Sequence, residues 1–368
     1  MIGYDNRLDD KGYEKVTVIS FAFRDPFLYY QAQEALLPEP MEKSPQPLLI
    51  YGLIAMLIAG CAGKESEPRN SIPHERNREA TPASSIPSFS GKRAYENLLR
   101  TVSFGPRDPN SPGHRECLSY LVTTLRGLTD SVGVQEFTHR GYDGEILYLT
   151  NIIAAFKPEA AERILLCTHW DTRPRAERDR DFTRHDEPIL GANDGGSGVA
   201  ILLEIAKLLK SVPPAVGVDI VLFDGEDYGF EGDIPNYLLG SRHFALTKPS
   251  SYVPRFGILL DMVGDSQLEI LKEGHSLQYA PDIVDLVWTT AAQLGYSQFV
   301  DQRGEPITDD HLPLNEVGIR TADLIDFAYP DESHIYWHTH EDTPDKCSAE
   351  SLEAVGTVIT HIVYTQQP

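Results

Sequence analysis

"GVDIVLFDGED", residues 217–227, decides how this chain folds. The stretch up to Phe223 is a short continuous apolar run, the pattern of a strand covered on both faces. It empties at once into Asp224, Glu226 and Asp227. Acid clusters on surfaces are common, but a buried strand that runs straight into adjacent carboxylates is not. Open α/β sheets collect their sites at the carboxyl ends of their strands, and this is the pattern such an edge would leave.

The neighbouring sequence agrees. "LTNIIAAF" (149–156), "ERILLCTHW" (162–170), "FGILLDMVG" (256–264) and "RTADLIDF" (320–327) also read as strands. Between and around them lie segments with apolar residues at helical spacing: 92–102, 113–128, 195–210, 281–295 with Gly295 as its stop, and 348–365 with Ser348 as its cap. Strands alternating with helices predict an α/β fold with one central, mostly parallel sheet flanked by helices.

The chain has 368 residues, 41% of them hydrophobic and 24% charged, and a formal net charge of -23. That composition is globular, and the charge argues against a nucleic-acid partner, whose phosphates would be repelled. Residues 48–60 are apolar but too few to span a bilayer. They have the length of a signal-peptide core and end in "LIAGC", which resembles a bacterial lipobox with Cys61 as the lipidated residue. The reading assigns residues 1–40 to an upstream mis-start, with Met41 as the true start. Residues 41–60 become a lipoprotein signal peptide, 61–90 a Pro- and Ser-rich linker, and 91–368 the catalytic domain. Localisation is then the bacterial cell envelope, held to the membrane by a lipid on Cys61, on the periplasmic or outer-membrane side. Cys117, Cys167 and Cys347 match no metal or redox spacing, so a disulfide and buried free thiols both stand open.

Each strand end carries a residue suited to metal or proton chemistry. His169 and Asp171 follow the strand at 162–170, and Asp194 sits in "GANDGGSG" at a helix mouth. Glu226 and Asp227 follow 217–223, Asp261 ends the next strand, and His338 lies in "YWHTHED". Taken singly, Asp194 is a helix N-cap and His338 an ordinary hydrogen-bonded histidine. Taken jointly in one sheet, two acids, a histidine and an open position suit a catalytic zinc. Adjacent Glu226 and Asp227 can divide the work, one on the metal and the other a general base facing substrate.

The motifs "THWDT", "GANDGGSGVAILLEIAKLL", "IVLFDGEDYG", "LLGSRHFA", "GILLDMVGD", "ITDDHLPL" and "WHTHEDT" run in order through residues 91–368. Together they resemble the zinc peptidase M28 family, and within it most closely the animal-type glutaminyl cyclases (glutaminyl-peptide cyclotransferases) and their bacterial relatives. The resemblance implies an α/β three-layer sandwich with a central mixed, mostly parallel sheet, with Asp194, Asp227 and His338 as ligands of one zinc and Glu226 as general base and acid. Asp261 and Asp309 would be supporting acids, and Trp337 would line the pocket. The substrate would be an N-terminal glutamine of a peptide or protein. The family's aminopeptidases hold two zincs, and their pattern would add His169 and Asp261, with Asp194 bridging. Asp309, where aminopeptidases have Ser, and Trp337 beside His338 favour the cyclase branch. Three departures stand: Asp227 replaces a Glu, Asp323 replaces a His, and a second pocket Trp is absent, with Tyr228 and Phe230 nearby instead. A non-catalytic binding protein of the same fold is the remaining alternative, and an intact Glu226 argues against it.

Overall fold

The computed structural model describes residues 86–129 and 131–368. The expectations for the start codon, the signal peptide, Cys61 and most of the linker therefore lie outside the described residues. Among those described, no helix is long and apolar enough to cross a membrane.

Among the described residues there are eight strands: β1 (Ser131–Arg140), β2 (Ile146–Phe156), β3 (Arg163–His169), β4 (Gly217–Phe223), β5 (Gly257–Asp261), β6 (Ile270–Lys272), β7 (Phe299–Arg303) and β8 (Thr321–Ile325). Six of them form one sheet in the order β1-β2-β4-β3-β5-β8, while β6 and β7 pair separately. β4, β3, β5 and β8 run parallel, and β2 is antiparallel to both β4 and β1. The sheet is thus mixed, with its parallel half carrying the strands whose ends hold the acids. In register, His169 lies opposite Phe223 and Asp261 opposite Ile325. The residues that follow each strand therefore emerge along one edge.

The helices are α1 (Gly91–Val102), α2 (Pro112–Arg126), α3 (Gly196–Ser211), α4 (Leu239–Thr247), α5 (Gly274–Tyr279), α6 (Pro281–Leu294), α7 (His311–Glu316) and α8 (Ala349–Thr365). Strand alternation sorts their cores. Ile164 and Leu166 of β3, with Ile220 and Leu222 of β4, join the large core beneath α2, α3, α6 and α8. Leu165 and Cys167, with Val221 and Phe223, point the other way, onto Phe244 of α4 and Leu314 of α7. Two cores on opposite faces of one sheet make the three-layer sandwich, and each fully buried Leu or Ile contributes about 1.5–3 kcal/mol.

Local signals place the ends. Ser90, Ser111 and Ser348 accept the backbone N–H of Arg93, His114 and Ser351 and so cap α1, α2 and α8. Gly295 closes α6 in the left-handed region. The glycines of "GANDGGSG" serve close approach. Gly195 has φ +74°, and a Cβ there would sit 2.7 Å from the Asp171 carbonyl and 2.8 Å from the His169 ring. A Cβ on Gly198 would lie 2.6 Å from the Leu260 carbonyl, so α3 rests directly on the strands. Cys117, Cys167 and Cys347 are buried free thiols, which settles the question left open above.

Candidate active site

Asp194 is not the N-cap of α3; Gly195 occupies that position, without a side-chain cap bond. The Asp194 carboxylate turns instead towards the strand ends. Its Oδ1 lies 3.2 Å from His169 Nε2 and its Oδ2 3.8 Å from His338 Nε2. His338 Nε2 is 3.4 Å from Asp227 Oδ1. Asp194, Asp227 and His338, all buried, each offer a ligand atom within 4.8 Å of the others. His169, Asp194 and Asp261 form a second such group, with His169 Nε2 3.1 Å from Asp261 Oδ1. Two groups that could each hold a metal ion thus lie side by side, and they share Asp194.

A metal fits the first group on its own evidence. Asp227 Oδ2 is buried with no hydrogen-bond partner, while Arg173 holds Oδ1 at 2.5 Å. One oxygen is clamped by the protein and the other is left for a cation. Two carboxylates and an imidazole are a zinc donor set with room for a fourth ligand. His338 adopts φ +56°, a strained conformation for a residue with a Cβ. The other two histidines of this loop are engaged elsewhere: His334 Nδ1 with the Phe327 carbonyl at 2.8 Å, His340 Nδ1 with Asp179 at 2.8 Å. Only His338 faces the acids.

The loop after β4 is held from below. Asp224 is fully buried, takes the Thr150 N–H at 2.6 Å, and pairs with His114 Nε2 at 2.9 Å. The His114 ring stacks on Trp170 at 4.5 Å. Asp171 receives the next two backbone N–H groups, those of Glu226 at 3.1 Å and Asp227 at 3.3 Å. Asp342 does the same for Asn193 at 2.8 Å and Asp194 at 3.2 Å, and accepts the Tyr329 hydroxyl. Each supporting acid fixes the backbone that carries a working acid.

Electrostatics separate the neighbouring pair. Burial pushes the Glu226 carboxyl well above the usual range, and the charges of Asp227 and Asp309 add to the push against the pull of His169. Burial would raise Asp227 too, but Arg173 and His338 more than reverse it and hold that carboxyl low. The two adjacent carboxyls are thus pushed in opposite directions, Asp227 towards the anion and Glu226 towards the protonated form. Asp309 is also pushed well up, by burial first and then by Asp261. Its Oδ2 is buried without a hydrogen-bond partner.

Trp337 is half-buried, its ring centroid 3.9 Å from that of His338, with Phe327 edge-on at 4.8 Å and Arg178 above it at 4.3 Å. Tyr228 and Phe230 lie away from it, packed with Tyr142 around Arg175. Where the resemblance expects a histidine, Asp323 sits 3.7 Å from His311 Nδ1, whose Nε2 is 3.3 Å from Glu273. Glu273 accepts three backbone N–H groups; burial would raise its pKa, but His311 and those bonds bring it to about 2. An imidazole is present there, brought from α7 rather than from β8.

Arg173, Asp342 and His114 were not visible as site residues in the sequence. An arginine four residues beyond a strand and a histidine near a helix start carry no spacing signal. The "HED" that follows His338 contains Asp342, but nothing local says which backbone it holds.

Comparison with known proteins gives this geometry a setting. The crystal structure of Bacteroides thetaiotaomicron glutaminyl cyclase bound to N-acetylhistamine matches with TM-score 0.73 and 41% identity, over 77% of this chain and all of that one. A leucine aminopeptidase precursor from Bacteroides thetaiotaomicron matches with TM-score 0.74 and 42% identity, over 77% of this chain and 99% of that one. Aminopeptidase YwaD of Bacillus subtilis is 29% identical over 73% of this chain, which spans 59% of that relative's length. The profile of peptidase family M28 covers residues 151–363. The chain belongs to peptidase family M28, a family of zinc-dependent enzymes, and has glutaminyl cyclases and aminopeptidases among its relatives.

Proposed function

We propose that the protein is a glutaminyl-peptide cyclotransferase that works with one zinc and closes an N-terminal glutamine to pyroglutamate with release of ammonia. The observation that carries this reading is Asp309, buried with an unpartnered Oδ2 in the field of Asp261. A protonated acid there can hydrogen-bond Asp261 and occupy it, which works against a second metal on His169 and Asp261. Asp194, Asp227 and His338 would hold the zinc, whose contribution when bound is to polarise the γ-carbonyl of the glutamine.

The remaining steps belong to the chain. Trp337, half-buried beside His338, stacks along the substrate side chain. Glu226 takes a proton from the α-amine as that nitrogen bonds to Cδ, the carbonyl carbon of the side-chain amide. It returns the proton to the departing amide nitrogen, which leaves as ammonia. A carboxyl raised by burial suits both steps, since it binds a proton firmly enough to carry it and loosely enough to give it up. Asp261 and Asp309 steady the charge that develops on the attacking nitrogen.

The second reading, a two-zinc aminopeptidase, is favoured by the intact group His169, Asp194 and Asp261. Equilibrium dialysis against zinc separates them. The cyclase reading expects about one tightly held zinc per chain; two held equally tightly would favour the aminopeptidase. The lipid anchor on Cys61 belongs to the same proposal. Full-length protein made in a bacterial host should fractionate with membranes, and Cys61→Ala should release it.

A further inference from the structure

A cleft of about 690 Å³, open to solvent, lies beside the zinc-site residues and is used by none of the chemistry above. Its floor is apolar, with Leu271, Ile307 and Phe327. Its rim carries Glu269, Glu305 and Glu332, all exposed. None of the three forms an ion pair among the described residues, although many other acids of this domain do. Asp326 lines the cleft as well. It is 2% exposed, accepts the Glu269 N–H on its Oδ2 at 2.8 Å, and leaves its Oδ1 without a partner.

The cleft begins one ring from the metal ligand. Phe327 of the floor meets Trp337 edge-on, and Trp337 lies against His338. An extended peptide advances about 3.3–3.6 Å per residue. A substrate with its first residue at His338 therefore passes its second or third side chain over Trp337 and onto Phe327. An apolar trough under a ring of unpaired carboxylates matches one kind of side chain: a long aliphatic stem with a cationic head, as in lysine and arginine.

From this juxtaposition we propose that the cleft is a downstream subsite that selects peptides with Lys or Arg at the second or third position. The stem lies on Leu271, Ile307 and Phe327, and the head sits among Glu269, Glu305 and Glu332. The proposal deepens the cyclase reading and rests on it for the identity of the first residue.

The test has two arms, run on the full zinc-loaded chain. The first compares kcat/KM for Gln-Lys-Ala, Gln-Ala-Lys, Gln-Ala-Ala and Gln-Glu-Ala at low and high salt. The better Lys peptide should exceed Gln-Glu-Ala by roughly 5- to 20-fold at low salt, mostly through KM, because exposed ion pairs are individually weak and salt-screened. The combined Glu269→Gln, Glu305→Gln, Glu332→Gln variant should keep its rate on Gln-Ala-Ala and lose the preference. The second arm measures equilibrium binding of the same peptides to Glu226→Gln protein by calorimetry, where no turnover is needed. Lys peptides should bind more tightly, and the three rim changes should erase the difference. Equal binding of the Lys and Glu peptides, or a preference that survives the rim changes, overturns the proposal. If no Gln peptide releases ammonia yet Lys peptides bind preferentially, the cyclase reading fails and the subsite stands.

Discussion

Arg173→Met should destabilise the metal-free protein far more than the zinc-loaded protein. Arg173 is fully buried, and its Nη1 lies 2.5 Å from Asp227 Oδ1, on a residue only 2% exposed. At an effective dielectric near 20, that contact is worth about 6–7 kcal/mol of attraction, much of it offset by desolvation. Removing one partner of such a pair leaves a bare buried charge, and the loss is about 3–5 kcal/mol. Arg173 also donates to the Asp227 carbonyl at 3.2 Å. In the loaded protein the cation on Asp227 Oδ2 compensates the charge, and what remains is the missing donor, about 1–2 kcal/mol. The difference of about 2–3 kcal/mol must reappear in binding, so zinc should hold roughly 30- to 150-fold tighter in the variant. Urea unfolding of chelator-treated and zinc-loaded protein, with a chelator competition titration, measures both sides of this cycle. Equal destabilisation of the two forms, or weaker zinc binding in the variant, would show that Asp227 is not a ligand.

Three further outcomes follow from the same geometry. Burial lifts the Asp326 carboxyl to about 8, with Asp265 adding to the rise. The folded state therefore keeps a proton that the unfolded state releases near pH 4, and this stabilisation is full below pH 4 and drains away as pH rises towards 8. Asp326→Asn should be the more stable protein at pH 8 by a few kcal/mol and flatten that slope in urea titrations; an unchanged slope would reject the assignment. His114→Ala strips the partner from buried Asp224, under the loop that carries Glu226. It should lower stability by about 3 kcal/mol and kcat more than KM, whereas a pure KM effect would deny it a positioning role. Trp337→Ala should raise KM for Gln peptides several-fold while zinc stoichiometry stays unchanged, as loss of a stacking surface requires; an unchanged KM would place the substrate elsewhere.

Much of this was legible in the sequence because the period of the apolar residues and the chemistry of the strand ends are local properties. β3, β4, β5 and β8 are short buried runs, and each of the residues Asp194, Glu226, Asp227 and Asp261 stands where a strand or turn meets the sheet edge. β1 was not assigned: Ser131–Arg140 is an edge strand with alternating partial burial, and it offers no continuous apolar run. β6 has only three residues, and β7, mostly exposed and polar, offers no buried apolar run. The supporting residues were invisible for a different reason. Asp342 reaches Asn193 and Asp194, and Arg173 reaches Asp227, across chain separations that no spacing rule encodes. The sequence also offered Asp194 as a helix cap, and only the position of Gly195 removes that alternative.

Product analysis of a Gln-initiated peptide treated with the zinc-loaded protein tests the central claim most directly. The account predicts a pyroglutamyl peptide and one ammonia for each peptide consumed, with no free glutamine, and loss of that product in Glu226→Gln. Free glutamine with a shortened peptide would contradict it, and so would an unaltered peptide in the presence of bound zinc.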